Sequence, residues 1–324
     1  MLLEIEGLNI DLPTPDGARR IVKDVSFTLE RGATLGVVGE SGSGKTMTAL
    51  ALMGLLPEGA MTSGAIRFDD RDLTKLDETQ WREIRGDRIA MIFQEPMTAL
   101  NPLHTIGRQI AEPLGLHRGL SRNAAMAEAV RLLARVGLPD PERRARAYPH
   151  QLSGGQRQRA MIAMALSCGP KLVVADEPTT ALDVTVQAQI LDLLVELREQ
   201  TEMALILVSH DLAVIAQNCE RIVVLYGGTV MESGAARDVL DHPAHPYTRA
   251  LLDARPRLGH ARGERLRTIP GSAPSAGAAP KGCPFAGRCA LTIEACSASP
   301  PPPVALANGR IARCIRLDEA ERVA

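Results

Sequence analysis

The residues Gly39-Glu40-Ser41-Gly42-Ser43-Gly44-Lys45-Thr46 combine glycines, a lysine and hydroxyls at a spacing suited to holding phosphate. Glycines let backbone N–H groups turn towards phosphate oxygens at a helix N-terminus, where the helix dipole favours negative charge. In such a loop Gly39, Ser41, Gly42 and Gly44 cradle the anion, Lys45 reaches the β- and γ-phosphates of ATP, and Thr46 ligates Mg2+. A second candidate group ends an apolar run, Leu172-Val173-Val174-Ala175-Asp176-Glu177. Side chains alternate along a strand, so the two acids point differently and divide the work. Asp176 suits the magnesium shell, directly or through a water, and Glu177 can polarise a water for attack on the γ-phosphate.

The elements that must position these groups are legible as alternating strands and helices. Residues 35–38, 172–175, 205–208 and 222–225 are short apolar runs rich in β-branched side chains and read as buried parallel strands. The phosphate loop follows the first of them directly and leads into a helix-forming run at 47–56, which is the strand–loop–helix context the motif requires. Further helices are predicted at 124–136, 156–167 and 186–200, the last opened by Asp183 as N-cap. The fold class is therefore α/β, with a helical subdomain inserted at about 95–165, where strand signals vanish. After residue 240 the character changes. Residues 256–303 are rich in proline, glycine, serine and alanine and predict an irregular extension without a conventional core.

Composition excludes several functions. The chain of 324 residues has 37 basic and 38 acidic side chains, giving a net charge of −1 and no electrostatic reason to bind nucleic acid. Aromatic residues are only 2% of the chain, so a base-stacking platform is not expected. No apolar stretch has the length of a membrane span, and the N-terminus lacks the pattern of a signal peptide, which predicts a cytoplasmic location. Six cysteines do not make a disulfide scaffold. Cys168 and Cys219 read as small buried hydrophobes. Cys283, Cys289, Cys296 and Cys314 crowd into the irregular tail, where a metal would give the segment a fixed shape. Their spacing fits neither a zinc-finger pair nor a ferredoxin run; four thiolates are compatible with zinc or with iron and sulfide, and reduced thiols without metal remain a third alternative.

Leu152-Ser153-Gly154-Gly155-Gln156 resembles the signature sequence of ABC-type ATPases. Gln94 is similar to the glutamine of that family's Q-loop, Thr180-Ala181-Leu182-Asp183 to its D-loop, and Ser209-His210-Asp211 to its switch histidine. The resemblance covers residues 1–240. It implies two ATPase subunits packed head to tail, each ATP lying between the phosphate loop of one and the signature of the other. Ser153, Gly155 and Gln156 would then face the partner's ATP, while Glu177, His210 and Gln94 would serve the chain's own nucleotide, Gln94 also approaching Mg2+ and linking to the transport subunits. Where the family stacks adenine on an aromatic residue, this chain has Leu12; either an aliphatic contact or stacking by Arg19 would replace it.

The stretch from Phe93 to Pro102, the run His245-Pro246-Tyr247-Thr248 and the tail from Ile269 to Cys283 resemble the dipeptide, oligopeptide and nickel importer branch. That branch implies a second, different ATPase subunit, two multi-span permease subunits and an external solute-binding protein. It also implies attachment to the cytoplasmic face of the inner membrane, and it favours a [4Fe-4S] cluster over zinc at the four cysteines of the extension, 241–324.

Overall fold

A computed structural model describes residues 1–180, 182–254, 268–274 and 281–317. Its strands, in chain order, are β1 (Leu3–Thr14), β2 (Gly17–Leu29), β3 (Thr34–Val38), β4 (Met61–Phe68), β5 (Arg71–Asp72) and β6 (Ile89–Ile92). They continue with β7 (Leu172–Asp176), β8 (Ala204–Ser209), β9 (Arg221–Tyr226), β10 (Thr229–Ala235), β11 (Val304–Ala305) and β12 (Ile311–Ala312). Two sheets result. One is antiparallel in the order β2-β1-β4-β5, and the other has the order β11-β12-β10-β9-β3-β8-β7-β6. In the second sheet the five strands β9-β3-β8-β7-β6 are parallel, and β10, β12 and β11 extend the β9 edge in antiparallel fashion.

The parallel strands are buried on both faces, which explains their unbroken apolar runs. Leu35, Val37, Leu172, Val174, Ile206 and Val208 point into a core shared with the antiparallel sheet. Their neighbours Val38, Val173, Ala175, Leu205 and Leu207 point into a second core covered by helices. That helical layer includes Ile106–Arg118, Arg122–Arg135, Pro141–Arg146 and Gly154–Ala165, the inserted subdomain.

The expected α/β class and the four predicted strands are present. The helix expected at 47–56 is shorter, Lys45–Leu52, and starts inside the phosphate loop. The helix from Asp183 runs Val184–Thr201, with the Asp183 carboxylate accepting from the Val186 N–H as predicted. One expectation is corrected: the tail does not lack a core. Phe285 is 2% exposed, and Cys283, Ala286 and Cys296 are buried with it in the helix-side core of the main domain. Its strand β12 pairs with β10. The described part of the extension is held by docking, using the main domain's apolar surface in place of one of its own. Residues 255–267 and 275–280 of the proline-rich stretch, and Ala181 of the D-loop motif, lie outside the described residues.

Candidate functional site

The phosphate loop leaves the C-terminal end of β3, the strand between β9 and β8. It therefore rises at the middle of the sheet, beside the ends of β7 and β8, the position where α/β sheets collect ligands. Gly39 lies so close to β9 that a Cβ there would stand 2.1 Å from the Leu225 carbonyl oxygen. Gly44 has φ 97°, a left-handed conformation from which the helix Lys45–Leu52 begins. These two glycines fold the loop over a helix N-terminus.

Lys45 is 5% exposed; its Nζ donates to the carbonyls of Gly39 (2.8 Å) and Glu40 (3.1 Å). Burial pulls the lysine pKa down, opposed by the charges of Glu177, Asp176 and Glu40. Asp176 ends β7 fully buried, and the Thr46 hydroxyl donates to its Oδ1 at 3.4 Å. Burial pushes the Asp176 carboxyl above its ordinary value. Thr46 and Asp176 thus stand side by side, as a shared cation requires.

Glu177, one residue past the strand, has φ 45°, and its N–H donates to the Val208 carbonyl of β8 at 3.0 Å. This left-handed turn is uncommon for a non-glycine residue and aims the carboxylate back towards the cleft. Its Oε2 accepts from Gln94 Nε2 (3.3 Å) and Thr180 Oγ1 (3.0 Å) and lies 3.3 Å from His210 Nδ1. Residues 94, 177 and 210, each following a different parallel strand, meet at one oxygen. Together with residues 39–47, Leu12, Ile21 and Leu251 they line a cleft of about 770 Å3. Leu12 is at the cleft as anticipated. Arg19, its pairing partner across β1 and β2, is not among the lining residues.

Ser153 caps the helix Gly154–Ala165 reciprocally: its Oγ accepts from the Gln156 N–H, and Gln156 Oε1 accepts from the Ser153 N–H. Ser153, Gly155 and Gln156 do not line the cleft. Ser153 is exposed and the other two are half-buried, leaving the N-terminus of this helix open to another molecule.

Cys168 and Cys219 are buried and free, as expected, and burial pushes the Cys219 thiol up to about 12. Cys283, Cys289, Cys296 and Cys314 line one small pocket with His245 and Phe285. Burial raises Cys283 to about 11. The donor types fit a thiolate-bound metal centre, but the shell is not preformed: among the described residues no group of three or more His, Cys, Asp or Glu is arranged to hold an ion.

Sequence reasoning does not reach two residues of the extension, one lining the cleft and one bonded to the phosphate loop behind it. Leu251 lines the cleft, and the hydroxyl of Tyr247 accepts from the Glu40 N–H at 2.9 Å. Both sit in the helix Pro246–Asp253, at a stretch that the sequence marks only as a branch resemblance.

Comparison with known proteins agrees with this arrangement. Residues 22–180 match the ABC transporter family, and residues 231–296 match the oligopeptide/dipeptide transporter C-terminal region. The chain is 49% identical over 316 residues to the oligopeptide transport ATP-binding protein OppD of Salmonella typhimurium, covering 98% of this chain and 94% of that protein. It is 50% identical over 300 residues to OppD of Escherichia coli, covering 93% and 89%. Among solved structures it resembles the dimeric MJ0796, a bacterial ABC transporter cassette, with TM-score 0.65 and 31% identity, covering 73% of this chain and 99% of that one. MJ0796 has also been solved as a dimer in a post-hydrolysis state bound to ADP and phosphate, with TM-score 0.65 and 30% identity. With phosphate loop, paired acids and signature helix on one α/β frame, this chain belongs to the ATP-binding subunits of ABC transporters, in the oligopeptide and dipeptide branch.

Proposed function

We propose that this chain hydrolyses ATP to drive import of peptides, or of a similar small solute, across the cytoplasmic membrane. The observation that carries the reading is the meeting of Gln94, Thr180 and His210 on Glu177 beside the phosphate loop. In this reading Gly39, Ser41, Gly42, Gly44 and Lys45 hold the phosphates of ATP. Thr46, Asp176 and Gln94 would hold Mg2+, which would neutralise phosphate charge when bound. Glu177 takes a proton from the water that attacks the γ-phosphorus, the bond to the β-phosphate oxygen breaks, and ADP and phosphate leave. His210 contacts the γ-phosphate, and adenine packs on Leu12.

The open helix N-terminus at Ser153, Gly155 and Gln156 supports a head-to-tail pairing in which these residues face ATP held by a second subunit. That subunit is a different chain, and the pair sits beneath two multi-span permease subunits served by an external solute-binding protein. The chain is then a peripheral subunit at the cytoplasmic face of the membrane; no described helix is long and apolar enough to cross one. Residues 1–240 form the ATPase domain, with its helical subdomain at about 95–165, and 241–324 form the extension. Cys283, Cys289, Cys296 and Cys314 would hold a [4Fe-4S] cluster, with zinc as the alternative. Either would cross-link the tail.

The test is capture of tagged Glu177→Gln chain with ATP and Mg2+ from gently solubilised host membranes, followed by mass spectrometry. Recovery of multi-span permeases and a second ATPase is the expected result, and peptide uptake should disappear with Lys45→Ala. Capture of ribosomal or DNA-repair partners, with peptide uptake intact in Lys45→Ala cells, would overturn the reading.

A further inference from the structure

Glu40 is the point where the phosphate loop meets the extension. Its N–H donates to Tyr247 Oη at 2.9 Å, its carbonyl accepts from Lys45 Nζ at 3.1 Å, and its Oε2 accepts from Arg288 Nη1 at 2.7 Å. The Arg288 and Glu40 side chains are 9% and 25% exposed, so salt screens this pair weakly. Arg288 is itself fixed from behind. Its Nη1 also donates to Tyr226 Oη (3.1 Å), its Nε donates to the Pro270 carbonyl (2.8 Å), and its guanidinium lies 5.8 Å from the Tyr226 ring centre. Tyr226, Tyr247 and Phe285 pack ring to ring with centroids 4.5 to 5.3 Å apart. In a chain so poor in aromatics, this is a firm seat for one arginine.

A carboxylate on a phosphate-binding loop repels its ligand unless a cation offsets it. Arg288 supplies that cation, and Tyr247 fixes the backbone of the same residue. We propose that Arg288 and Tyr247 are positioning residues of the nucleotide site, holding Glu40 so that the loop and Lys45 are set to receive ATP. The extension is then part of the nucleotide site as well as a branch-specific appendage. This rests on the reading of residues 39–46 as the phosphate loop.

Titration of the full chain with a fluorescent ATP analogue and Mg2+ tests it, using wild type, Arg288→Met, Glu40→Gln, the double variant and Tyr247→Phe. Arg288→Met should weaken binding about tenfold, the size of a lost charge-assisted hydrogen bond. In the Glu40→Gln background the same change should cost no more than about twofold, because its target charge is gone. Tyr247→Phe keeps the ring and loses the hydroxyl, and should weaken binding by about threefold to fivefold. It carries the test should Arg288→Met not fold. In the assembled transporter both single changes should raise KM for ATP and leave kcat within about twofold, since Glu177 and His210 are untouched. Wild-type binding in both Arg288→Met and Tyr247→Phe overturns the proposal, as does an Arg288→Met penalty that persists undiminished in the double variant. Lys45→Ala serves as the separate control: if it binds the analogue normally, the phosphate-loop reading fails, whatever Arg288 does.

Discussion

The nucleotide cleft and the C-terminal extension solve opposite problems. The cleft is built at the ends of fully buried parallel strands and holds features that cost stability: a desolvated carboxylate at Asp176, a desolvated ammonium at Lys45 and a left-handed Glu177. Among the described residues the extension has few regular elements and is held by what it docks against. Phe285 packs on Tyr226, Arg310 donates to the Asp238 carbonyl, and the Arg313 N–H donates to the Met231 carbonyl. A rigid sheet tolerates an internally unfavourable site, whereas a segment without its own core must gain from every contact. Changes in the cleft should therefore alter chemistry and spare the fold, and changes in the extension should loosen the fold, except at Arg288 and Tyr247, which reach the phosphate loop.

The largest effect is expected from Glu177→Gln in the assembled transporter. Losing the proposed base should lower ATP turnover by about a thousandfold, while affinity for ATP stays within about threefold. Unchanged turnover would remove Glu177 from the chemistry. Phe285→Ala comes next and probes the other side of the comparison. Emptying its aromatic seat should cost about 3 to 5 kcal/mol of stability, read by denaturant unfolding. A loss below about 1 kcal/mol would show that the extension is held elsewhere. Cys289→Ser should follow, lowering bound metal in anaerobically purified protein and exposing the tail to protease. Full metal retention would reject the four-cysteine site.

The two regions also differ in how much of them the sequence discloses. Most of the cleft's polar residues lie in short contiguous words at the end of an apolar strand, so local spacing carries the chemistry: 39–46, 176–177 and 209–211 are all of this kind. What stays hidden depends on distance along the chain. The Glu40–Arg288 pair spans 248 residues, and Tyr247 reaches Glu40 across 207. Neither has a local pattern. The strand β6 is obscure because Ile89-Ala90-Met91-Ile92 is too short to separate from a helix by periodicity. The long hairpin of β1 and β2 escapes a sequence reading because register shifts along β1 break the alternation that would betray it. Proline and glycine content makes the extension look coreless, yet its few apolar residues are enough when the surface they cover is already apolar.

Asp176→Asn should give the smallest effect and the opposite sign. Burial raises the Asp176 pKa in the folded chain above its ordinary 3.8, so ionisation is harder in the folded than in the unfolded state. The wild-type chain is then relieved of this cost below 3.8, loses stability as pH climbs from there to the raised folded value, and bears the full cost above it. Asparagine keeps the shape and can still accept from Thr46, but carries no charge. The nucleotide-free variant should be more stable than wild type at pH 7, and the difference should shrink as pH falls towards 4. Asp69 sets the contrast at a site with no catalytic duty. Hydrogen bonds from Lys171 and Arg31 hold it down to about 2, so its contribution is present above 3.8 and is lost as pH falls towards 2. Parallel pH profiles for wild type and Asp176→Asn would mean that the cleft holds no such cost, and the contrast between a strained site and a stabilising extension would collapse.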